Sequence, residues 1–135
     1  MYELVSLLSN GLIVGFITFQ IGINTAIIFT KLDSENASVL LRAIFPKFFL
    51  TIFVFSSISF ISLYLSSNKG LLLNLSAVTI ILSGVCFFII PATNDARDKG
   101  NDRLFSIYHS ISVFSTLIIL VINIISFFSY RVVSI

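Results

Sequence analysis

Asp95, Asp98, Asp102 and His109 are spaced by three, four and seven residues, steps that share one face of an unbroken helix. Carboxylates beside an imidazole are the ingredients of a metal site or of proton transfer. Asn94 and Arg97 belong to the same stretch, 90–110, which carries six of the fourteen charged side chains and the only histidine. Gly100-Asn101 competes with that reading. Gly100 suits a left-handed helix stop after Lys99, and Asn101 or Asp102 suits the cap of the next helix. The stretch is then the tip of a helical hairpin, with Asp95 pairing to Lys99 four residues on. Both readings stay open at this point.

A second group lies earlier in the chain. Arg42 and Pro46 sit just before an apolar run, and Arg42 or Lys47 can meet an aspartate of the later stretch if both loops lie on one side. Gln20 and Asn24, four apart inside another apolar run, are amides that each cost several kcal/mol if left unpaired in hydrocarbon, on the order of ~2–7 kcal/mol. They point either to hydrogen bonds with the Ser and Thr of other helices or to a pocket for water or a polar ligand. Cys86 stands alone in mid-run and reads as a small packing residue.

The elements that must position these groups follow from the charges. In 135 residues, 57% are hydrophobic and 10% charged, where soluble proteins have roughly 25% charged residues. Four uncharged runs remain, Leu4 to Thr30, Phe48 to Asn68, Gly70 to Asn94 and Leu104 to Tyr130, of 27, 21, 25 and 27 residues. About 20 helical residues cross a hydrocarbon core about 30 Å thick, so each run suffices. The expected fold is an all-α integral membrane four-helix bundle, a single domain with spans at about 4–30, 48–67, 71–91 and 104–129. The first run is too long for the apolar region of a cleaved signal peptide and lacks its basic flank, so it is expected to stay as a helix.

Local patterns refine this outline. Gly11, Gly15, Thr18, Gly22 and Thr25 or Ala26 form a stripe of small residues, expected to be the face that span 1 turns to its neighbours. Asp33-Ser34-Glu35-Asn36 reads as a helix start. The apolar face of Ala37, Leu40, Leu41, Ile44, Phe45 and Phe48 then predicts a short interfacial helix before span 2, bent into it at Pro46. Residues 66–70 permit only a tight hairpin, and Pro91 kinks or ends span 3. In span 4, His109, Ser112, Thr116, Asn123 and Ser126 form one polar stripe. All four tyrosines, Tyr2, Tyr64, Tyr108 and Tyr130, fall near run ends, where ring and hydroxyl suit the interface.

Four spans put the two long loops on one side, with six Lys and Arg against two, Lys69 and Arg131, on the other. The positive-inside rule then places both loops in the cytoplasm and both termini outside. No Asp, Glu, Lys or Arg lies in mid-span, which disfavours a proton-coupled exporter. Gly-rich phosphate loops, Cys or His pairs and a Gly-x-Ser-x-Gly elbow are missing from the sequence, and the net charge of +2 carries no argument for nucleic acid.

Leu41-Arg42-Ala43-Ile44-Phe45-Pro46-Lys47-Phe48-Phe49, Pro91-Ala92-Thr93-Asn94-Asp95-Ala96-Arg97-Asp98 and Phe105-Ser106-Ile107-Tyr108-His109-Ser110 follow the Gly-rich first span in order. Together they resemble a bacterial four-span membrane domain of unknown function, similar to transmembrane protein 205. The resemblance covers nearly the whole chain and implies a fold rather than a reaction. The expectation is a multi-pass protein of the bacterial inner membrane, with neither evident catalysis nor a cofactor. Its candidate cluster is Arg42, Pro46, Asn94, Asp95, Arg97, Asp98 and His109, which locks the loops together or binds a small partner. Besides the bilayer, the partner expected is a second copy or another membrane protein. The alternatives are a redox or metal- or haem-binding protein using His109, and a small-solute transporter using Gln20 and Asn24.

Overall fold

The computed structural model describes residues 1–66 and 70–133, and everything regular in them is helical. The first span is one rod in three parts: α1 (Tyr2–Phe19), a π-helical segment (Gln20–Thr25) and α2 (Ala26–Lys31). Then come α3 (Ser34–Leu65), α4 (Leu71–Asp98) and α5 (Asp102–Val133). Four helices are long and apolar enough to cross a membrane, as the four uncharged runs demand, so the chain is a multi-pass membrane protein. Of the expected tight hairpin at 66–70, residues 67–69 lie outside the described residues.

The turns are built as their residue types require. Leu32 is extended and ends α2, and the Asp33 carboxylate caps α3 by accepting from the Asn36 amide at 2.9 Å. Gly100, at φ 66°, closes α4: its N–H donates to the Arg97 carbonyl at 3.1 Å, and that of Asn101 to the Ala96 carbonyl at 2.9 Å. The Asn101 side chain then accepts from the Leu104 amide at 3.1 Å and starts α5.

The expectation of a separate helix before span 2 needs correction. No separate interfacial helix precedes span 2, because α3 runs unbroken for 32 residues with Pro46 inside it. At Pro91, where a kink or an end is expected, α4 does not end but continues to Asp98. A helix interior accommodates proline at the cost of one backbone hydrogen bond, and the rings of Phe45, Phe48 and Phe49, which flank Pro46 in the sequence, pack on one another.

Ile13, Ile17, Phe48, Phe49, Ile52, Cys86 and Ile119 form the main core, contributed by all four spans. Polar contacts between helices accompany it. The Tyr130 hydroxyl donates to Ser6 Oγ at 2.6 Å, Ser6 and Ser59 hydroxyls lie 2.6 Å apart, and Ser59 donates to Asn10 Oδ1 at 3.0 Å. Tyr130 therefore does not offer its hydroxyl to the interface: it is buried and ties α5 to α1. Asn123 Nδ2 likewise donates to Thr79 Oγ1 at 3.2 Å, joining α5 to α4.

The small-residue stripe also faces the other way from expectation. Gly15, Thr18, Gly22 and Ala26 are exposed, and a Cβ on Gly15 or Gly22 would meet nothing within 4 Å. Only Gly11 receives a neighbour, with Phe127 3.4 Å from where its Cβ would stand. The inward face of span 1 is Ser6, Ser9, Asn10, Ile13, Ile17, Gln20 and Ile28.

Candidate functional site

The α2–α3 and α4–α5 turns lie at one end of the bundle, where α3 and α4 bring Arg42 and Asp98 together across 56 residues. The guanidinium engages the carboxylate with both arms, Nη1 to Oδ2 at 3.0 Å and Nη2 to Oδ1 at 2.5 Å. That fork geometry selects arginine over lysine. Pro46, one turn after Arg42, has no amide proton to return to the Arg42 carbonyl, so the backbone at the arginine is loosened where its side chain is held. The Arg42 guanidinium, with help from the charge of Arg97, holds the Asp98 carboxyl below its ordinary range, and the pairing raises Arg42 in turn. Both groups meet solvent, so the pair fixes geometry more than it stabilises the fold.

The neighbouring groups are arranged around this pair. Asp95 takes Lys99 at 2.8 Å on the outer face of α4. Arg97 lies over the Phe105 ring, 4.9 Å from its centroid, and the His109 ring stacks on the same ring at 5.6 Å with 8° between planes. Phe105 thus links the end of α4 to the start of α5; its spacing of four from His109 signals the stack within α5 but not the contact with Arg97. His109 is exposed, and Asn94 is half-buried.

The single-face alignment of Asp95, Asp98, Asp102 and His109 does not form. The left-handed Gly100 ends one helix between Asp98 and Asp102, so the regular spacing is broken where it would have to continue. Among the described residues no group of three or more His, Cys, Asp or Glu side chains gathers as a metal ion would need. The structure therefore brings together Arg42 with Asp98, Arg97 with Phe105 and His109, and leaves Asp95 to its own helix.

Gln20 and Asn24 lie elsewhere, within the π-helical segment. Asn24 Nδ2 donates to Gln20 Oε1 at 2.7 Å, so among the described residues the pair bonds to itself rather than to other spans. Thr25 Oγ1 takes up the Gln20 carbonyl at 2.8 Å, a five-residue reach that the wide turn permits. Gln20 is buried, and its Nε2 has no acceptor among the described residues.

The sequence also gave no role to the buried chain of Tyr130, Ser6, Ser59 and Asn10. A signal was present, since Ser6, Asn10, Ile13, Ile17, Gln20 and Asn24 recur at steps of three and four and so mark one face.

Against known proteins, the family model described as a domain of unknown function, DUF4149, matches residues 8–102. No curated protein and no solved structure matches the chain.

Proposed function

The chain belongs to the DUF4149 family, a domain of unknown function, and from that premise we propose a non-catalytic multi-pass protein whose two long loops are latched together to receive a small partner. The observation supporting this reading is the two-armed Arg42–Asp98 pair between α3 and α4. It holds the ends of two spans in one arrangement, beside the Arg97, Phe105 and His109 stack. The excess of Lys and Arg in these loops supports a cytoplasmic placement with both termini outside. The resemblance of three motifs in the sequence to a bacterial four-span domain similar to transmembrane protein 205 is what supports reading it as a bacterial inner-membrane protein.

A photo-crosslinking residue in place of His109, with one at the outward-facing Val121 as control, tests the docking role in native membranes. The expected result is a discrete adduct at position 109 that weakens in Arg42→Gln and is missing at 121. Equal labelling at both positions, or an adduct indifferent to Arg42→Gln, overturns the reading.

A further inference from the structure

The half of α5 nearest the latch presents an open, shallow strip to the outside of the bundle, with Ser106, Ser110, Ile111, Phe114 and Ile118 along it. Arg103 extends that strip by one turn, because positions 103, 107, 110, 114 and 118 recur at steps of three and four. The Arg103 side chain is exposed, and the ion pairs among the described residues, Arg42 with Asp98 and Lys99 with Asp95, do not involve it. It stands at the outer edge of the apolar run from Leu104 to Tyr130.

Depth along the helix separates the chemistry into three levels. At about 1.5 Å per residue, Ser106 and Ser110 lie roughly 5 and 10 Å beyond Arg103, and Phe114 and Ile118 roughly 16 and 22 Å beyond it. A glycerophospholipid presents its groups in the same order: phosphate, ester oxygens, hydrocarbon chain. Hydroxyls donate to ester oxygens, and a guanidinium without a carboxylate complements the phosphate of a lipid that carries net negative charge.

We propose that this strip holds one anionic phospholipid, with its phosphate on Arg103, its ester level at Ser106 and Ser110, and one acyl chain along Ile111, Phe114 and Ile118. A zwitterionic lipid offers the same chain but brings its own cation, so Arg103 confers the preference. The contact is independent of the latch between α3 and α4.

Native mass spectrometry of the full chain tests this, using mixed micelles with equal amounts of phosphatidylglycerol and phosphatidylcholine of identical chains. The wild type is expected to retain the anionic lipid about fivefold over the zwitterionic one, the ratio that one interfacial arginine supplies. Arg103→Gln is expected to bring the ratio to one, and Lys99→Gln to leave it unchanged. Arg103 is exposed, and unchanged helicity by circular dichroism checks that each variant is folded. Equal retention by the wild type, a preference that survives Arg103→Gln, or a preference lost equally in Lys99→Gln would each overturn the assignment.

Discussion

Ser59→Ala is expected to unfold the bundle more readily than its size suggests. The Ser59 hydroxyl proton is committed to Asn10 Oδ1 at 3.0 Å, and the Tyr130 proton to Ser6 at 2.6 Å. Ser6 must therefore give its own proton to Ser59, and the chain runs in one direction, Tyr130 to Ser6 to Ser59 to Asn10. Ser59, Ser6 and Asn10 are 0%, 0% and 4% exposed, so water cannot replace a lost partner. Deleting one hydroxyl breaks two interhelical bonds, worth about 0.6 kcal/mol each in membrane proteins. It also orphans the Ser6 proton and the Asn10 carbonyl, which brings the expected loss to about 2 kcal/mol. Ser57, two residues earlier, bonds the Phe53 carbonyl of its own helix at 2.7 Å, and Ser57→Ala should stay within about 0.5 kcal/mol of wild type. Steric trapping in bicelles measures both. If the two variants proved equally stable, the directional chain would not be a stabilising element and the reasoning would fail.

The latch carries a pH signature. The Asp98 carboxyl is depressed below its ordinary value of 3.8, so its contribution is complete above that value and is lost as pH falls through the depressed one. The difference in thermal midpoint between wild type and Asp98→Asn should therefore be constant near neutrality and vanish in acid; a gap that persists in acid would place the effect elsewhere. The glycines should divide by conformation. Gly100→Ala forces a side chain into the left-handed region and should cost about 1 kcal/mol, whereas Gly22→Ala, with open space around its Cβ, should be neutral or stabilising by a few tenths to about 1 kcal/mol. Equal effects in chemical unfolding would refute that division.

Span number was legible because charge in hydrocarbon is costly enough to interrupt any run that crosses it. Which face of span 1 turns inward was not. In a soluble helix the apolar face is the buried one, but Ile27, Phe29 and Phe88 face outward here at no cost in lipid. Polar residues carry the inward signal instead, as with Ser56, Ser59 and Ser62 on α3 or Thr116, Asn123 and Ser126 on α5. The glycine stripe misled because small side chains permit close packing without requiring it, and only Gly11 uses the permission. The helix start at Asp33 was legible in its capping residues, but the segment it opens is the first part of α3 rather than a separate helix. The aspartate and histidine spacing failed for a reason already visible in Gly100, whose positive φ ends the helix that the spacing presumes.

The two ends of the bundle are closed by different chemistry, and the difference bears on where function sits. Near Tyr130 the closure is neutral, buried and chained through hydroxyls, so each partner depends on the next. At the Arg42 end it is ionic and solvated, with Asp98 59% and Arg42 35% exposed. A solvated ion pair exchanges partners at little cost, because water and salt compensate each charge during the exchange. A buried hydroxyl chain cannot do so without leaving donors unpaired. The end with Tyr130 therefore suits a fixed scaffold. On the proposed docking role, the end with Arg42, Asp98 and the Arg97, Phe105 and His109 stack is the one whose contacts can be exchanged without unfolding the spans.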